Sequence, residues 1–195
     1  MTRSDETLRQ VHGADGLWRL FLISAFPTHL WTIFLFLIDV AWITERTKPG
    51  DAVGVGAYGL VAAFFDSLGI FLGGALLGLL VSPKWGAHAR LTLAGSLVWV
   101  VTGWALALQV YGYFGAPFPS RLIGWLGGLS QPVLFLYGVE WILVGVSVLL
   151  PVYFLLRSER LRRWVAGFFE RVSLLMIFYL LLDATGLIIV VLRNI

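Results

Sequence analysis

Cysteine is absent from the 195 residues. That excludes a disulfide framework, a thiolate zinc site, a cysteine nucleophile, c-type haem attachment and iron–sulfur ligation. Charge is nearly as scarce: Asp, Glu, Lys and Arg make up 13% of the chain, where soluble domains carry about 25%. So few charges cannot cover a water-facing surface. No Gly-rich loop joins a strand to a helix as phosphate binding requires, and no two histidines have haem or zinc spacing. Ser, His and Asp are too scattered to nominate a triad, and the His and Asp constellation is sparser than an intramembrane hydrolase needs. The reading therefore leans away from an enzyme: no catalytic residue and no cofactor are expected, and no metal-ligand set is defined. The net charge of +3 is too small and too dispersed for nucleic acid.

What the chain has is apolar length. Hydrophobic residues make up 59% of it and mean hydropathy is +0.88, which puts it in a bilayer. Crossing one takes about 20 residues at a 1.5 Å rise, and runs of that length occur five times: 20–43, 53–81, 91–114, 132–156 and 172–192. Without water to satisfy peptide groups each must be helical, so the fold class is all-α, a five-span bundle occupying residues 20–192. A tail over residues 1–19 precedes it and residues 193–195 follow. The bundle leaves no room for a soluble catalytic domain of about 100 residues.

The breaks have loop chemistry: Lys48-Pro49-Gly50, Ser82-Pro83-Lys84, and Pro117 with Pro119. Residues 122–131 are apolar but too short to cross, and Gly127, Gly128 and Pro132 separate them from the fourth span, so an interfacial or re-entrant segment is expected. Pro27 and His29 fall early in the first span, which predicts a separate interfacial first piece with the crossing proper starting near Thr28. Residues 1–16, mixed in charge and without a small-x-small cleavage site, do not read as a signal peptide.

Ten of the 14 basic residues lie on one side of five alternating spans: Arg3, Arg9, Arg19, Lys84, Arg90, Arg157, Arg160, Arg162, Arg163 and Arg171. Arg46, Lys48, Arg121 and Arg193 lie on the other. The positive-inside bias puts the N-terminus in the cytoplasm. The expected setting is a multi-pass protein of the plasma (inner) membrane of a prokaryote. Within residues 157–171 the arginines flank a helical stripe, Leu161, Trp164, Val165, Phe168, Phe169 and Val172. An amphipathic helix on the cytoplasmic side is expected there, turning up into the last span and holding anionic headgroups through Arg157, Arg160, Arg162, Arg163 and Arg171.

No Lys or Arg falls within a span, yet four spans contain a carboxylate: Asp39, Asp66, Glu140 and Asp183; the third has Gln109. An Asp at a helix centre costs about 2.5–3.5 kcal/mol on insertion scales, so these five are the candidate ion or proton sites. Asp66, Glu140 and Asp183 lie roughly 20, 12 and 14 Å from the outer span ends at the helical rise, which permits one outward-facing cluster. Tyr137 and Tyr179, three and four residues before Glu140 and Asp183, share their helix faces and are placed to donate to them. Asp66-Ser67-Leu68-Gly69 and Asp183-Ala184-Thr185-Gly186 share a pattern, faintly like an inverted repeat. His29 reads as a hydrogen-bonded or interfacial histidine, and His12 and His88 as tail and loop residues. Gly69-x-x-x-Gly73 and Gly74-x-x-x-Gly78 let a helix approach closely, within the chain or in a homo-oligomer.

Two functions fit. One is a small cation- or proton-linked transporter or channel working through the intramembrane carboxylates. The other is a non-catalytic subunit or assembly factor of a larger membrane complex, whose small size and nine tryptophans it would explain.

Overall fold

The computed structural model describes residues 14–80, 85–115 and 119–195. These form six helices: α1 (Ala14–Arg46), α2 (Pro49–Leu80), α3 (Ala87–Phe114), α4 (Ser120–Gly127), α5 (Pro132–Arg157) and α6 (Glu159–Asn194). All except α4 are long and apolar enough to cross a membrane, the makeup of a multi-pass membrane protein. The expectations attached to His12, Arg3, Arg9, Ser82-Pro83-Lys84 and Pro117 lie outside the described residues.

Local chemistry explains the ends. Pro49 and Pro132 each open a helix, where a missing N–H costs nothing. Gly115 closes α3 at φ +57°, a left-handed cap that favours glycine. Ser158 ends α5 with its N–H on the Phe154 carbonyl and starts α6 by accepting from the Leu161 N–H at 3.2 Å. At the start of α3, Arg90 is 2% exposed and donates from Nη2 to the Gly78 carbonyl in the last turns of α2. This residue, expected as a loop cation, is a buried helix cap.

Helix α1 is the hub, packing against α2, α3 and α6. Phe21, Leu22 and Ala25 meet Met176 of α6 in the core, with Phe64, Leu68 and Phe71 of α2 against them. Contacts set the directions. Arg19 faces Glu170 and His29 faces Asp183, so α1 and α6 run parallel. Gly56 faces Phe36 while Gly74 faces Ser24, so α2 runs antiparallel to α1. Trp99 meets Phe26 and Tyr113 meets Asp39, so α3 is parallel to α1. Helix α5 packs against α3 and α6, and Leu155 is its one buried residue.

Two local expectations are corrected. First, α1 runs unbroken through Pro27 instead of starting afresh near Thr28. Proline leaves the carbonyl four residues back without its donor, and the indole N–H of Trp99 replaces it, 2.9 Å from the Ile23 oxygen. Second, residues 159–171 are the first turns of α6, with no turn after Arg171. Part of their apolar stripe is satisfied inside the protein: Phe169 is buried, and Phe168 and Phe169 both pack on Trp99. Trp164, by contrast, stays exposed. The two small-residue pairs differ. A Cβ on Gly74 would lie 2.6 Å from Val98, whereas Gly69 and Gly73 face open space. A separate short helix, α4, covers the first part of the stretch 122–131 and is tied to α5 by the edge-on contact of Trp125 with Phe135.

Candidate functional site

Halfway along α1, fifteen residues from Ala14 and so roughly 22 Å at the helical rise, His29 is 0% exposed. Its Nε2 lies 2.8 Å from Oδ2 of Asp183 on α6, itself 6% exposed. Three elements hold the imidazole. Its Nδ1 is 2.8 Å from the Ala25 carbonyl one turn earlier. Tyr179, one turn before Asp183, lies parallel to it with ring centroids 6.3 Å apart and planes at 6°. From α2, the Ser67 hydroxyl approaches Nδ1 at 3.4 Å and bonds Thr28 Oγ1 at 2.6 Å.

Donor and acceptor chemistry fixes the proton inventory. A carbonyl only accepts, so Nδ1 carries a hydrogen and donates to Ala25. Nε2 then either donates to an Asp183 carboxylate or accepts from its carboxylic acid. Both forms contain one proton between Nε2 and Oδ2 and have no net charge, which suits an apolar interior where an uncompensated charge is costly. That proton can move along a 2.8 Å axis without disturbing the backbone bond. The hydroxyls beside it are also adaptable. Thr28 and Ser67 have one hydrogen each for three short contacts, to the Ala25 and Ala63 carbonyls and to each other. The remaining oxygen, Asp183 Oδ1, is buried and has no partner among the described residues.

Asp183 also lines a groove of about 670 Å³ between α1, α2 and α6. The other lining residues are apolar or aromatic, among them Trp18, Phe21, Phe64 and Phe71. Beyond the site, Gly186 of α6 meets the Ala57 backbone of α2, where a Cβ would lie 3.3 Å from the carbonyl oxygen. Gly54 makes room for the Arg193 guanidinium, which reaches Asp51 at 2.7 Å and closes α6 onto the start of α2.

The five candidates do not gather into one cluster. Asp183 is in the core, whereas Asp66, Glu140 and Gln109 are exposed, and no hydrogen bond or ion pair among the described residues involves Asp66 or Glu140. Asp39 accepts from Tyr113 of α3 at 2.6 Å, near the far end of α1 from Ala14. Neither tyrosine plays its expected part: Tyr137 is exposed, and Tyr179 stacks on His29 rather than donating to Asp183. The two Asp-x-x-Gly segments have unlike surroundings, since Gly186 is packed and Gly69 open. Among the described residues no three His, Asp or Glu side chains are placed to hold a metal ion. The sequence reading admitted His29 as hydrogen-bonded and left its partner 154 residues away unnamed; Thr28 and Ser67 had no signal beyond being hydroxyls inside apolar runs.

No family model, characterised protein or solved structure matches this chain, and the site's own geometry carries the functional reading.

Proposed function

We propose that the protein is a small proton-linked membrane transporter, with His29 and Asp183 as its proton-binding pair. The observation behind this reading is the 2.8 Å contact of a fully buried imidazole with a carboxylate inside five apolar helices. Ionisable residues at such depth are expensive and mark ion or proton pathways. Thr28 and Ser67 extend the pair by two hydroxyls able to exchange donor roles. In the same reading the end bearing Arg19, Arg90 and Arg157 faces the cytoplasm. Arg157, Arg160, Arg162, Arg163 and Arg171 then meet anionic headgroups.

The test is proton flux into liposomes containing the purified protein and a trapped pH-sensitive dye, driven by a potassium diffusion potential. Flux above empty liposomes that is lost in His29→Gln and Asp183→Asn, and retained in Asp39→Asn and Glu140→Gln, is expected. Wild-type flux no greater than that of empty liposomes defeats the proposal.

A second reading, a subunit of a larger membrane assembly, is favoured by one observation. Glu140 lies among exposed residues of α5, beside Trp141 at 76% exposure, and a partner helix would relieve a carboxylate that otherwise meets lipid. Co-purification with unlike membrane proteins in mild detergent supports that reading, and a stable monomer or homo-oligomer counts against it.

A further inference from the structure

We infer that the groove between α1, α2 and α6 binds a lipophilic organic cation whose positive centre pairs with Asp183. Its volume of about 670 Å³ falls within the roughly 300–1,000 Å³ of small-molecule sites. Among the described residues Asp183 is the one ionisable residue lining it. No lining residue among the described residues is basic, and the carboxylate favours a cation over an anion. Aromatic rings from Trp18, Phe21, Phe64, Phe65 and Phe71 line the same space, and ring faces attract cations most strongly where water is excluded. The carboxylate has capacity to spare: His29 occupies Oδ2, while Oδ1 is buried and has no partner among the described residues. Entry from the bilayer is open, since the lining residues Phe65 and Leu187 are 64% and 52% exposed. A ligand arriving by that route must dissolve in lipid.

The proton balance follows, and this step rests on the proton-linked reading above. The unliganded pair holds one proton between Nε2 and Oδ2 and is neutral. A bound monocation adds one positive charge to an apolar site. Loss of that proton to solvent leaves a neutral imidazole, still donating from Nδ1 to Ala25, and an Asp183 carboxylate that neutralises the ligand. One proton leaves for each cation bound, the Nε2–Oδ2 hydrogen bond is lost with it, and the bound cation takes the proton's place as the partner of the carboxylate.

Tetraphenylphosphonium is the probe, titrated calorimetrically into the purified protein in non-ionic detergent, in two buffers of different ionisation enthalpy. Saturable binding with release of about one proton is expected. Affinity falls at least tenfold in Asp183→Asn and in Ala184→Trp, the latter filling the groove from an exposed position while keeping both His29 and Asp183. If Asp183→Asn does not fold, Ala184→Trp alone decides. Absence of saturable wild-type binding overturns the inference, as does binding that survives either substitution in a folded protein. Equal binding of neutral triphenylphosphine oxide also overturns it, because the groove would then be an acyl-chain site. Flux and binding fail separately: binding without proton flux defeats the transporter reading, and flux without binding defeats this site. Binding without proton release keeps the cation site and removes the exchange step.

Discussion

Trp99 donates its indole N–H to the Ile23 carbonyl at 2.9 Å, and Ile23 lies four residues before Pro27, at the position whose carbonyl a helical proline leaves without a donor. A residue on α3 thereby completes the backbone of α1. The same indole stacks on Phe26 and meets Phe168 and Phe169 of α6, so three helices converge within two turns of His29.

Trp99→Phe removes the donor while keeping an aromatic ring, and unfolding in detergent should show a loss of about 1–3 kcal/mol, the cost of stranding a buried acceptor. Pro27→Ala restores the missing N–H inside α1. In the Pro27→Ala background the same tryptophan substitution should cost about 1 kcal/mol less. Equal costs in both backgrounds would mean that the indole acts through packing alone.

Removing one member of the buried pair strands the other. Asp183→Leu and His29→Leu should each destabilise the protein by about 3–5 kcal/mol, and the double substitution by much less than their sum. Thermal melts of the four proteins in one detergent provide the cycle. Additive losses would show that the 2.8 Å contact contributes nothing of its own.

The apolar run lengths carried the five long helices, because a bilayer permits little else for such segments. The depth of Asp183 likewise marked it. Its partner was not legible: His29 and Asp183 are 154 residues apart, and helix periodicity relates only neighbours three or four positions apart. That limit also produced the mistaken pairing of Tyr179 with Asp183, where the i, i+4 rule holds on the face but the ring covers the histidine instead. Pro27 illustrates the converse. Its local chemistry argued for a break, and a tryptophan 72 positions on from it removed the reason for one.

The glycines sort by what surrounds them. A Cβ on Gly95 would sit 2.9 Å from Phe169 and 3.1 Å from Ile23, so Gly95→Ala should cost about 1–3 kcal/mol through overpacking. A Cβ on Gly69 or Gly73 would meet nothing within 4 Å among the described residues, and alanine at either should be neutral or stabilising by up to about 1 kcal/mol from helix propensity alone. Melting temperatures of the three variants test the contrast. A large loss at Gly69 or Gly73 would instead reveal a second helix on that face, and a parallel change in oligomer size would identify it as another copy.

Glu140 and Asp183 are both carboxylates inside apolar helices, and the structure separates their roles. Asp183 is buried against His29, whereas Glu140 is exposed and makes no polar contact among the described residues. For an unpaired carboxylate on a lipid-facing surface, an apolar replacement removes a cost and breaks nothing, since insertion scales penalise such a charge by about 2.5–3.5 kcal/mol at a helix centre. Glu140→Leu should therefore leave the stability of the isolated protein within about 0.5 kcal/mol or raise it, where Asp183→Leu is severely damaging. Size measurement in detergent completes the comparison. If Glu140→Leu preserves the melting temperature but dissociates a larger species, the carboxylate serves an interface with another membrane helix; if size is unchanged, it faces lipid or detergent directly and the subunit reading loses its support.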